Sequence, residues 1–301
     1  MKLIVLLSAY NGEKYLREQL DSLLAQTLRS VEVFVRNDGS TDTTRDILEE
    51  YRERGVLRWT AGENLGTARS FWLLLQNCEE ADYYAFCDQD DVWDADKLAV
   101  AVQALRHLDP MRPALYCGDV RVADAELRIL RETMVRGMQT DYPHALLKNI
   151  APGCTFVFNH PARELLRAYD AEKLGIDLHD WTAFQIISCF GRVIFDPAPH
   201  MSYRQHGDNA IGAHRTTAIT LLKKIPSFWS GPMKNSRQRQ ALRLEQAYGE
   251  QMAEENRELT VLLAHYVEDR TQKRRLLSKL GKSLSGADAY IARVLTRINR
   301  L

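Results

Sequence analysis

The stretch YYAFCDQDDVW, at residues 83–93, passes from an apolar run directly into three acids. Residues 83–87 have the aromatic, β-favouring composition of a buried strand. Asp88, Asp90 and Asp91 follow within four residues, and their like charges repel one another unless a cation joins them. The stretch therefore predicts a strand that ends in a charged loop.

The residues before this stretch repeat the same arrangement through about the first 120 positions. The β-rich runs 3–8, 31–36 and 56–59 are each followed by a polar, loop-forming segment and a helix-like pattern. A continuously apolar run such as 3–8 is typical of a parallel strand covered on both faces. The pattern predicts an α/β fold with a mostly parallel, Rossmann-like central sheet flanked by helices. Ligands bind at the carboxyl ends of such strands, so the four polar loops predict one site at one edge.

Length, cysteine content and the N-terminal apolar run limit which kinds of protein this chain can be. With 301 residues, of which 45% are hydrophobic, the chain can bury one or two cores. Its five cysteines are odd in number and lack disulfide or zinc spacing, which favours free thiols in a reducing compartment. The apolar run from Leu3 to Tyr10 meets Asn-Gly without a cleavage site, so it is predicted to be a strand and not a signal peptide. A cytoplasmic protein is expected.

The formal charge of zero hides an asymmetry along the chain. Of 40 basic and 40 acidic residues, 17 basic and 8 acidic ones lie from Arg215 onward, which leaves 23 and 32 before it. We therefore predict a domain over 1–215 and a basic helical extension over 216–301. Within the domain, a first half over about 1–120 is expected to precede a second half over about 121–215.

The three acids suggest a chemistry. Hard divalent ions such as Mg²⁺ or Mn²⁺ take oxygen ligands, and Mg²⁺ commonly joins one or two carboxylates to substrate phosphates. An acidic site repels an anionic phosphate unless such an ion lies between them. Asp88-Gln89-Asp90 is thus interpreted as a metal–diphosphate clamp. The alternative is an acidic surface loop whose Asp91 or Asp94 caps the next helix.

Four segments, in order and spacing, carry a resemblance: LSAYNGEKYLREQLDSLLAQT, NDGSTDTT, NLGTARS and CDQDDVWDADKL. Together they resemble the N-terminal half of family 2 glycosyltransferases with the GT-A fold, over roughly residues 3–100. Shorter matches, GCTFVFN, LHDW and YRQHGDNAIG, resemble bacterial rhamnosyltransferases of that family. The resemblance implies a metal-dependent inverting transferase of surface polysaccharide synthesis. Its leading donor is dTDP-L-rhamnose, and its acceptor is a saccharide or a lipid-linked saccharide.

The resemblance also implies that the domain over 1–215 is catalytic, with a nucleotide-sugar half over about 1–120 and an acceptor half over about 121–215. It further implies roles for residues in the strand-end loops. The nucleoside would be held by Ala9, Tyr10, Asn11 and Asp38, with the Asp38 carboxylate accepting the N3–H of a pyrimidine. Arg69 would lie near the base or the diphosphate, Asp88 at the ribose, and Asp90 would bind the metal. Asp91 is a candidate for a structural role. The open alternatives are an ordinary turn over 37–39 and a surface ion pair for Arg69.

An inverting transfer needs a base on the face opposite the leaving nucleotide, and Asp180 in LHDW is the candidate. By itself Asp180 could equally be a helix N-cap, and Trp181 could be either a wall for a sugar ring or a core residue. Gly153 and Cys154 are expected to form a wall on the acceptor side, with Cys154 as a packing residue.

The departing diphosphate also needs stabilisation. His206 is predicted to be a nitrogen ligand of the metal or a phosphate contact, and Arg204 a phosphate contact. Gly207 and Gly212 flank this segment like the hinges of a lid. A lone loop histidine without a role is the alternative.

Two C-terminal segments read as basic amphipathic helices. One face carries Tyr290, Ile291, Val294, Leu295 and Ile298, beside Arg293, Arg297 and Arg300, and an earlier stripe carries Leu276, Leu280 and Leu284. Such helices suit the anionic inner face of a cell membrane, and packing against protein is the alternative. No nucleic-acid partner is expected, because the tail lacks interleaved aromatic platforms.

Four other functions are alternatives to rhamnosyl transfer. The first is a transferase of the same fold that uses another UDP or dTDP sugar. A sugar-nucleotide pyrophosphorylase would need a glycine-rich basic loop after the first strand, where SAYNGEKYL has one glycine. A glycosidase built on Asp90 and Asp180 leaves the nucleoside-type loops unexplained. A non-catalytic, membrane-associated scaffold predicts no metal-dependent nucleotide binding.

Overall fold

The computed structural model describes residues 1–132, 136–206, 235–284 and 286–299. The chain divides into two compact units, Met1–Met138 with Ile150–Gly212 and Gln139–Asn149 with Ala213–Leu301. The sheet-bearing first unit is called the catalytic unit below, and the second the helical unit. The predicted domain boundary at 215 lies outside the described residues and stays a prediction, as does the predicted lid over Gly207–Gly212.

The catalytic unit contains a seven-stranded sheet in the order β3-β2-β1-β4-β9-β6-β10. Its strands are β1 (Leu3–Ala9), β2 (Val31–Asn37), β3 (Arg58–Ala61), β4 (Tyr83–Cys87), β6 (Ala114–Gly118), β9 (Val157–Asn159) and β10 (Arg192–Asp196). Only β9 runs antiparallel to its neighbours in this sheet. Leu3 through Leu7 of β1 are fully buried, as its continuous apolar run predicts. The predicted mostly parallel α/β sheet is confirmed.

Helices connect these strands: α1 (Leu16–Leu24), α2 (Thr44–Glu53), α3 (Thr67–Asn77), α4 (Lys97–Arg106), α6 (His160–Arg167), α7 (Ala171–Leu174) and α8 (His179–Phe190). Their amphipathic spacing explains their packing. In α2, for example, the buried residues are Thr44, Ile47, Leu48 and Tyr51, which lie one turn apart on one face.

A second, four-stranded sheet in the order β5-β11-β7-β8 lies in the same unit. Its strands are β5 (Val92–Trp93), β7 (Arg121–Ala123), β8 (Ile129–Glu132) and β11 (Met201–Arg204). Neither β5 nor β11 was predicted, and β3 begins two residues later than the predicted run 56–59. Met201 pairs with Trp93 and Ser202 with Val92 in antiparallel fashion. This pairing brings β11 next to β5, which directly follows the three acids.

The helical unit contains α5 (Tyr142–Ala145), α9 (Ser236–Tyr248), α10 (Glu254–His265), α11 (Arg270–Ser283) and α12 (Gly286–Arg297). Segment 139–149 joins these helices through polar contacts. The Tyr142 hydroxyl lies 2.7 Å from Oγ1 of Thr260, and Nζ of Lys148 lies 2.7 Å from the Asp288 carboxylate. Within the described ranges, none of the helices combines the length and apolar content that a membrane crossing needs.

Candidate active site

The loops that follow β1 and β2 are joined by hydrogen bonds. Asn11 has a positive φ of 48°. Its side-chain Oδ1 accepts a hydrogen bond of 2.9 Å from the backbone N–H of Thr41, and its backbone N–H donates to Oγ of Ser40 over 3.0 Å. The buried Ala9 accepts the Asp38 amide at its carbonyl over 2.7 Å. The predicted nucleoside residues therefore meet at one edge of the sheet, where the Tyr10 side chain is exposed.

Asp38 is buried and its carboxylate is already engaged by protein groups. It accepts the Leu65 and Gly66 amides over 3.0 Å each and pairs with the Arg36 guanidinium. A carboxylate has about four acceptor positions, so roughly one remains for a nucleobase. Arg36 was not singled out from the sequence, although a cation ending the apolar run VEVFVR was a usable signal.

Arg69 lies exposed in the first turn of α3. The adjacent Ser70 is buried, and its hydroxyl accepts a bond of 2.6 Å from Oγ of Ser8. The helix start is therefore held against the end of β1, close in sequence to the loop that Asp38 fixes. A contact of Arg69 with the base or diphosphate stays a prediction.

Gln89, the middle residue of the acidic triplet, ties the acidic loop to the β1 loop. Its Oε1 accepts the Tyr10 amide over 2.8 Å, and its Nε2 donates to the Tyr10 carbonyl over 2.9 Å. A Cβ on Gly12 would lie 2.4 Å from Oε1 of Gln89, so a side chain at position 12 would displace this bridge. The loops that follow β1 and β4 are thus joined into one surface.

The three acids occupy different environments. Burial, followed by the charges of Asp90 and Asp180, raises the pKa of Asp88 to about 7. Asp91 is fully buried, and its Oδ1 accepts the Arg204 amide over 3.1 Å. Burial, followed by the charges of Asp90 and Asp88, raises the pKa of Asp91 well above its ordinary value. Asp91 therefore has the structural position that the sequence left open.

A buried cation lies beneath these acids. Lys97, the first residue of α4, is buried with its ammonium 3.6 Å from the centre of the Trp93 ring. Burial lowers its pKa to about 8, against the raising effects of Cys154, Cys87 and Asp91. Its charge offsets part of the repulsion among the acids, and the sequence reading, which placed it in a helix, missed that task.

Arg204 holds the acidic loop from the second sheet. Its Nε donates to the Asp90 carbonyl over 2.8 Å, and its guanidinium lies 4.4 Å from the Tyr15 ring and pairs with Glu18. A further bond reaches the Ala125 carbonyl. The structure thus gives Arg204 a positioning task, and its contact with a diphosphate stays a prediction.

His206 and Asp90 come from distant segments and meet at the site. Nε2 of His206 lies 2.8 Å from Oδ2 of Asp90, and the imidazole packs 4.9 Å from the Tyr15 ring. Adjacent ligands of an octahedral ion with bonds of 2.0–2.1 Å lie about 3 Å apart. The pair therefore fits the first two protein ligands of a divalent cation.

Cys154 lies close to the acids but has the character of a packing residue. Its sulfur and the carboxylates of Asp88 and Asp91 offer ligand atoms within 4.8 Å of one another. Burial, followed by the charges of Asp91 and Asp88, raises the pKa of this thiol well above its ordinary value. A protonated thiol is a poor ligand for a hard cation and a weak nucleophile.

Asp180 lies half-buried in the first turn of α8, where a negative charge is favoured by the helix dipole. Leu178 occupies the N-cap position, and Oδ1 of Asp180 accepts the Trp181 amide over 2.7 Å. The charge of Asp180 acts on the pKa of Asp88, which places the two acids in one electrostatic site. Trp181 is buried, the core alternative left open above, and its contact with an acceptor stays a prediction.

Gly153 begins a short 3₁₀ helix (Gly153–Thr155) that packs against the start of α8. A Cβ at this position would lie 2.6 Å from Nε2 of His179 and 3.0 Å from Cβ of Asp180. His179 is buried and stacked on Phe71 with ring centres 4.1 Å apart. Burial lowers the pKa of His179, so a neutral imidazole supports the turn that carries Asp180. This supporting role was not predicted.

Comparison with known proteins places this site in a family. The glycosyl transferase family 2 model matches residues 4–165, more than half of the chain. The chain is 28% identical over 224 residues to the dTDP-rhamnosyl transferase RfbG of Shigella flexneri. The alignment covers 69% of this chain and 74% of that protein.

Solved structures show the same GT-A fold. TarS of S. aureus in complex with UDP-GlcNAc aligns with a TM-score of 0.59 at 16% identity, covering 94% of this chain and 80% of that one. The mannosyltransferase PcManGT of Pyrobaculum calidifontis, in complex with GDP-Man and Mn²⁺, aligns with a TM-score of 0.51 at 17% identity, covering 100% and 88%. With the sheet, the acidic loop and the family match in agreement, the chain belongs to glycosyl transferase family 2.

Proposed function

We propose that this protein is a metal-dependent, inverting glycosyltransferase that moves a sugar from a nucleoside-diphosphate donor to a saccharide or lipid-linked saccharide. The observation that carries the proposal is the meeting of Asp90 and His206, 2.8 Å apart, at the sheet edge where the donor loops end. Gln89 fixes that edge to the β1 loop, so nucleoside and diphosphate contacts belong to one surface.

The donor would lie along the ends of β1, β2 and β4. Ala9, Tyr10 and Asn11 line one side of the nucleoside, and Asp38 offers its remaining acceptor to a pyrimidine N3–H. Asp88, which directly follows β4, would accept a hydrogen bond from a ribose hydroxyl.

A divalent cation, Mg²⁺ or Mn²⁺, would be held by Asp90 with His206 as a second ligand. When bound, it supplies Lewis-acid stabilisation of the negative charge on the leaving diphosphate. The remaining chemistry belongs to side chains of this chain, which hold the two substrates and move one proton.

Asp180 would act as the general base. Its carboxylate takes the proton of the acceptor hydroxyl as that oxygen attacks the anomeric carbon. The new bond joins the acceptor oxygen to the anomeric carbon, and the bond from that carbon to the diphosphate oxygen breaks on the opposite face. The Trp181 amide, 2.7 Å from Oδ1 of Asp180, holds the carboxylate in one orientation.

L-rhamnose from dTDP-L-rhamnose is the leading donor, supported by the likeness to the rhamnosyl transferase RfbG and by the LHDW and YRQHGDNAIG segments. Another UDP or dTDP sugar is the alternative within the same reaction. A place in surface polysaccharide synthesis, a cytoplasmic location and a membrane contact of the helical unit belong to the proposal as well.

Donor binding tests the metal clamp. Titration of UDP, dTDP and their sugars into the purified protein, with Mn²⁺ or with chelator, should give binding that requires the metal. Asp90→Ala should abolish that requirement and weaken binding at least tenfold, whereas Glu172→Gln, an exposed acid on α7, should bind as wild type does. Equal affinity of wild type with and without chelator would reject the clamp.

Transfer tests the base. Asp180→Asn should lower turnover at least a thousandfold while the donor dissociation constant stays within threefold, because the amide keeps the shape and cannot accept the proton. Loss of donor binding in parallel with turnover would reject the base assignment. A panel of nucleotide sugars, followed by mass spectrometry of the products, identifies the donor.

A further inference from the structure

The last helix of the described chain packs in an unusual orientation. On α12 the buried residues are small, namely Ala289, Ala292 and Thr296, and they lie one turn apart on the inner face. The large apolar residues point away from the unit: Tyr290 is 71% exposed, Ile291 51% and Ile298 46%. At 100° per residue the two sets lie on opposite sides of the helix.

The neighbouring helix α11 shows the ordinary arrangement. Its apolar stripe, Leu276, Leu280 and Leu284, is buried within the helical unit. The two basic amphipathic stripes expected from the sequence therefore differ. The first is buried, whereas the second is exposed at Tyr290, Ile291 and Ile298 and half-buried at Val294 and Leu295.

Positive charge borders the exposed stripe. Arg293 and Arg297 are exposed and lie on the flank of α12 next to Tyr290. Nζ of Lys273 donates to the Arg297 carbonyl over 2.8 Å and to Oδ1 of Asn299 over 2.7 Å, so a lysine of α11 lies at the end that carries Ile298. Residues 270–299 contain eight Lys or Arg and one acid, Asp288, which is paired with Lys148.

We propose that the outer face of α12 lies on an anionic lipid surface. Tyr290, Ile291 and Ile298 enter the boundary between headgroups and acyl chains, while Arg293 and Arg297 contact lipid phosphates. The apolar stripe matches the acyl-chain boundary of such a surface, and the arginines beside it match the lipid phosphates. A purely apolar partner would leave these cations without counter-charge. The inference concerns the helical unit alone and does not depend on the proposed transfer chemistry. Arg300, named with this stripe above, lies outside the described residues.

Co-sedimentation of the full chain with vesicles tests the proposal. Wild type should bind vesicles of phosphatidylcholine with phosphatidylglycerol at least tenfold more tightly than vesicles of phosphatidylcholine alone. The triple variant Tyr290→Ser, Ile291→Ser, Ile298→Ser should lose at least tenfold in partitioning. The double variant Arg293→Gln, Arg297→Gln should lose about fivefold per charge, and raising the salt should have the same effect.

A matched control comes from the catalytic unit. Ile129 and Leu130 are 50% and 61% exposed, and their serine double variant removes exposed apolar surface from β8 of that unit. It should bind vesicles within twofold of wild type. Because all substituted positions are exposed, thermal unfolding should confirm a retained fold.

Three results would overturn the proposal. Wild type could stay in the supernatant with anionic vesicles, or the triple variant could sediment as wild type does. Light scattering could also show a wild-type dimer that the triple variant converts to monomer while vesicle binding is unchanged. That outcome would assign the stripe to a second copy of the chain.

Discussion

Substitution of Gly153 by alanine probes the support of the proposed base. The added Cβ would lie 2.6 Å from Nε2 of His179, where ordinary contact begins at 3.4 Å, so the neighbours must yield by roughly 0.8 Å. His179 cannot yield freely, because it is stacked on Phe71 at 4.1 Å and meets the Phe86 ring edge-on at 5.2 Å. The start of α8, which carries Asp180, must therefore move.

The expected size follows from that displacement. Overpacking of this kind costs about 1–3 kcal/mol of stability. A base moved by up to about 1 Å costs as much as a hundredfold in rate. We expect Gly153→Ala to lower turnover ten- to a hundredfold, with the donor dissociation constant unchanged within threefold, because the donor loops belong to other strands. Steady-state turnover and calorimetric donor titration measure the two quantities.

Gly281→Ala is the matched control. Its Cβ would lie 2.8 Å from Nη2 of Arg293, a contact almost as close, but with the free end of an exposed side chain that can rotate away. Since Gly281 lies inside α11, alanine should leave turnover unchanged and raise stability by up to about 1 kcal/mol. Turnover of Gly153→Ala within twofold of wild type, with an unchanged melting temperature, would refute the reasoning.

Three further outcomes are expected. Gln89→Ala removes two neutral hydrogen bonds of about 1 kcal/mol each, so the donor KM should rise by up to about thirtyfold with kcat within threefold; a fall in kcat alone would contradict a positioning role. Lys97→Met removes a buried ammonium whose pKa is lowered by burial, so folding disfavours its charged form and the midpoint of urea unfolding should stay unchanged or rise; a loss of about 3 kcal/mol would contradict this and show that the acids depend on the cation. Hydrogen bonding to Glu268 and Glu245 raises the pKa of His265, so its stabilisation is complete below about pH 6.5 and lost as pH rises through the folded pKa. His265→Gln should therefore flatten the decline of the melting temperature between pH 6 and 8, and an identical decline would contradict this.

The central strands could be predicted because burial on both faces demands continuous apolar residues, as in Leu3–Leu7 of β1. Strand β3 lies at the edge, and its register follows pairing with Phe34–Asn37 of β2, which composition does not encode. Strands β5 and β11 are short and form where two distant segments meet. Their existence depends on tertiary pairing that local propensity cannot reveal.

The same distinction separates the site residues. Asp38, Asp88 and Asp90 could be singled out as candidates because they lie in the loops that follow β2 and β4, where ligands are expected. Gln89, Lys97 and His179 were missed because they act on protein atoms: the Tyr10 backbone, the Trp93 ring and the turn of Asp180. A glutamine or a helical lysine has many ordinary uses, so its sequence position alone carries little information about such contacts.

The three acids that end β4 are held in unequal environments, which explains how an apolar strand can end in three like charges. Asp91 is buried and accepts the Arg204 amide at Oδ1, so it anchors the loop. Asp90 has His206 as its partner. Burial raises the pKa of Asp91 well above its ordinary value and that of Asp88 to about 7. The protein thus limits the cost of crowding by pairing Asp90 with His206 and by favouring the protonated forms of Asp88 and Asp91. A cation bound at Asp90 would reverse the last of these, because its positive charge favours the ionised form of Asp88. The carboxylates that repel one another without a cation would then stabilise the loop with the cation bound.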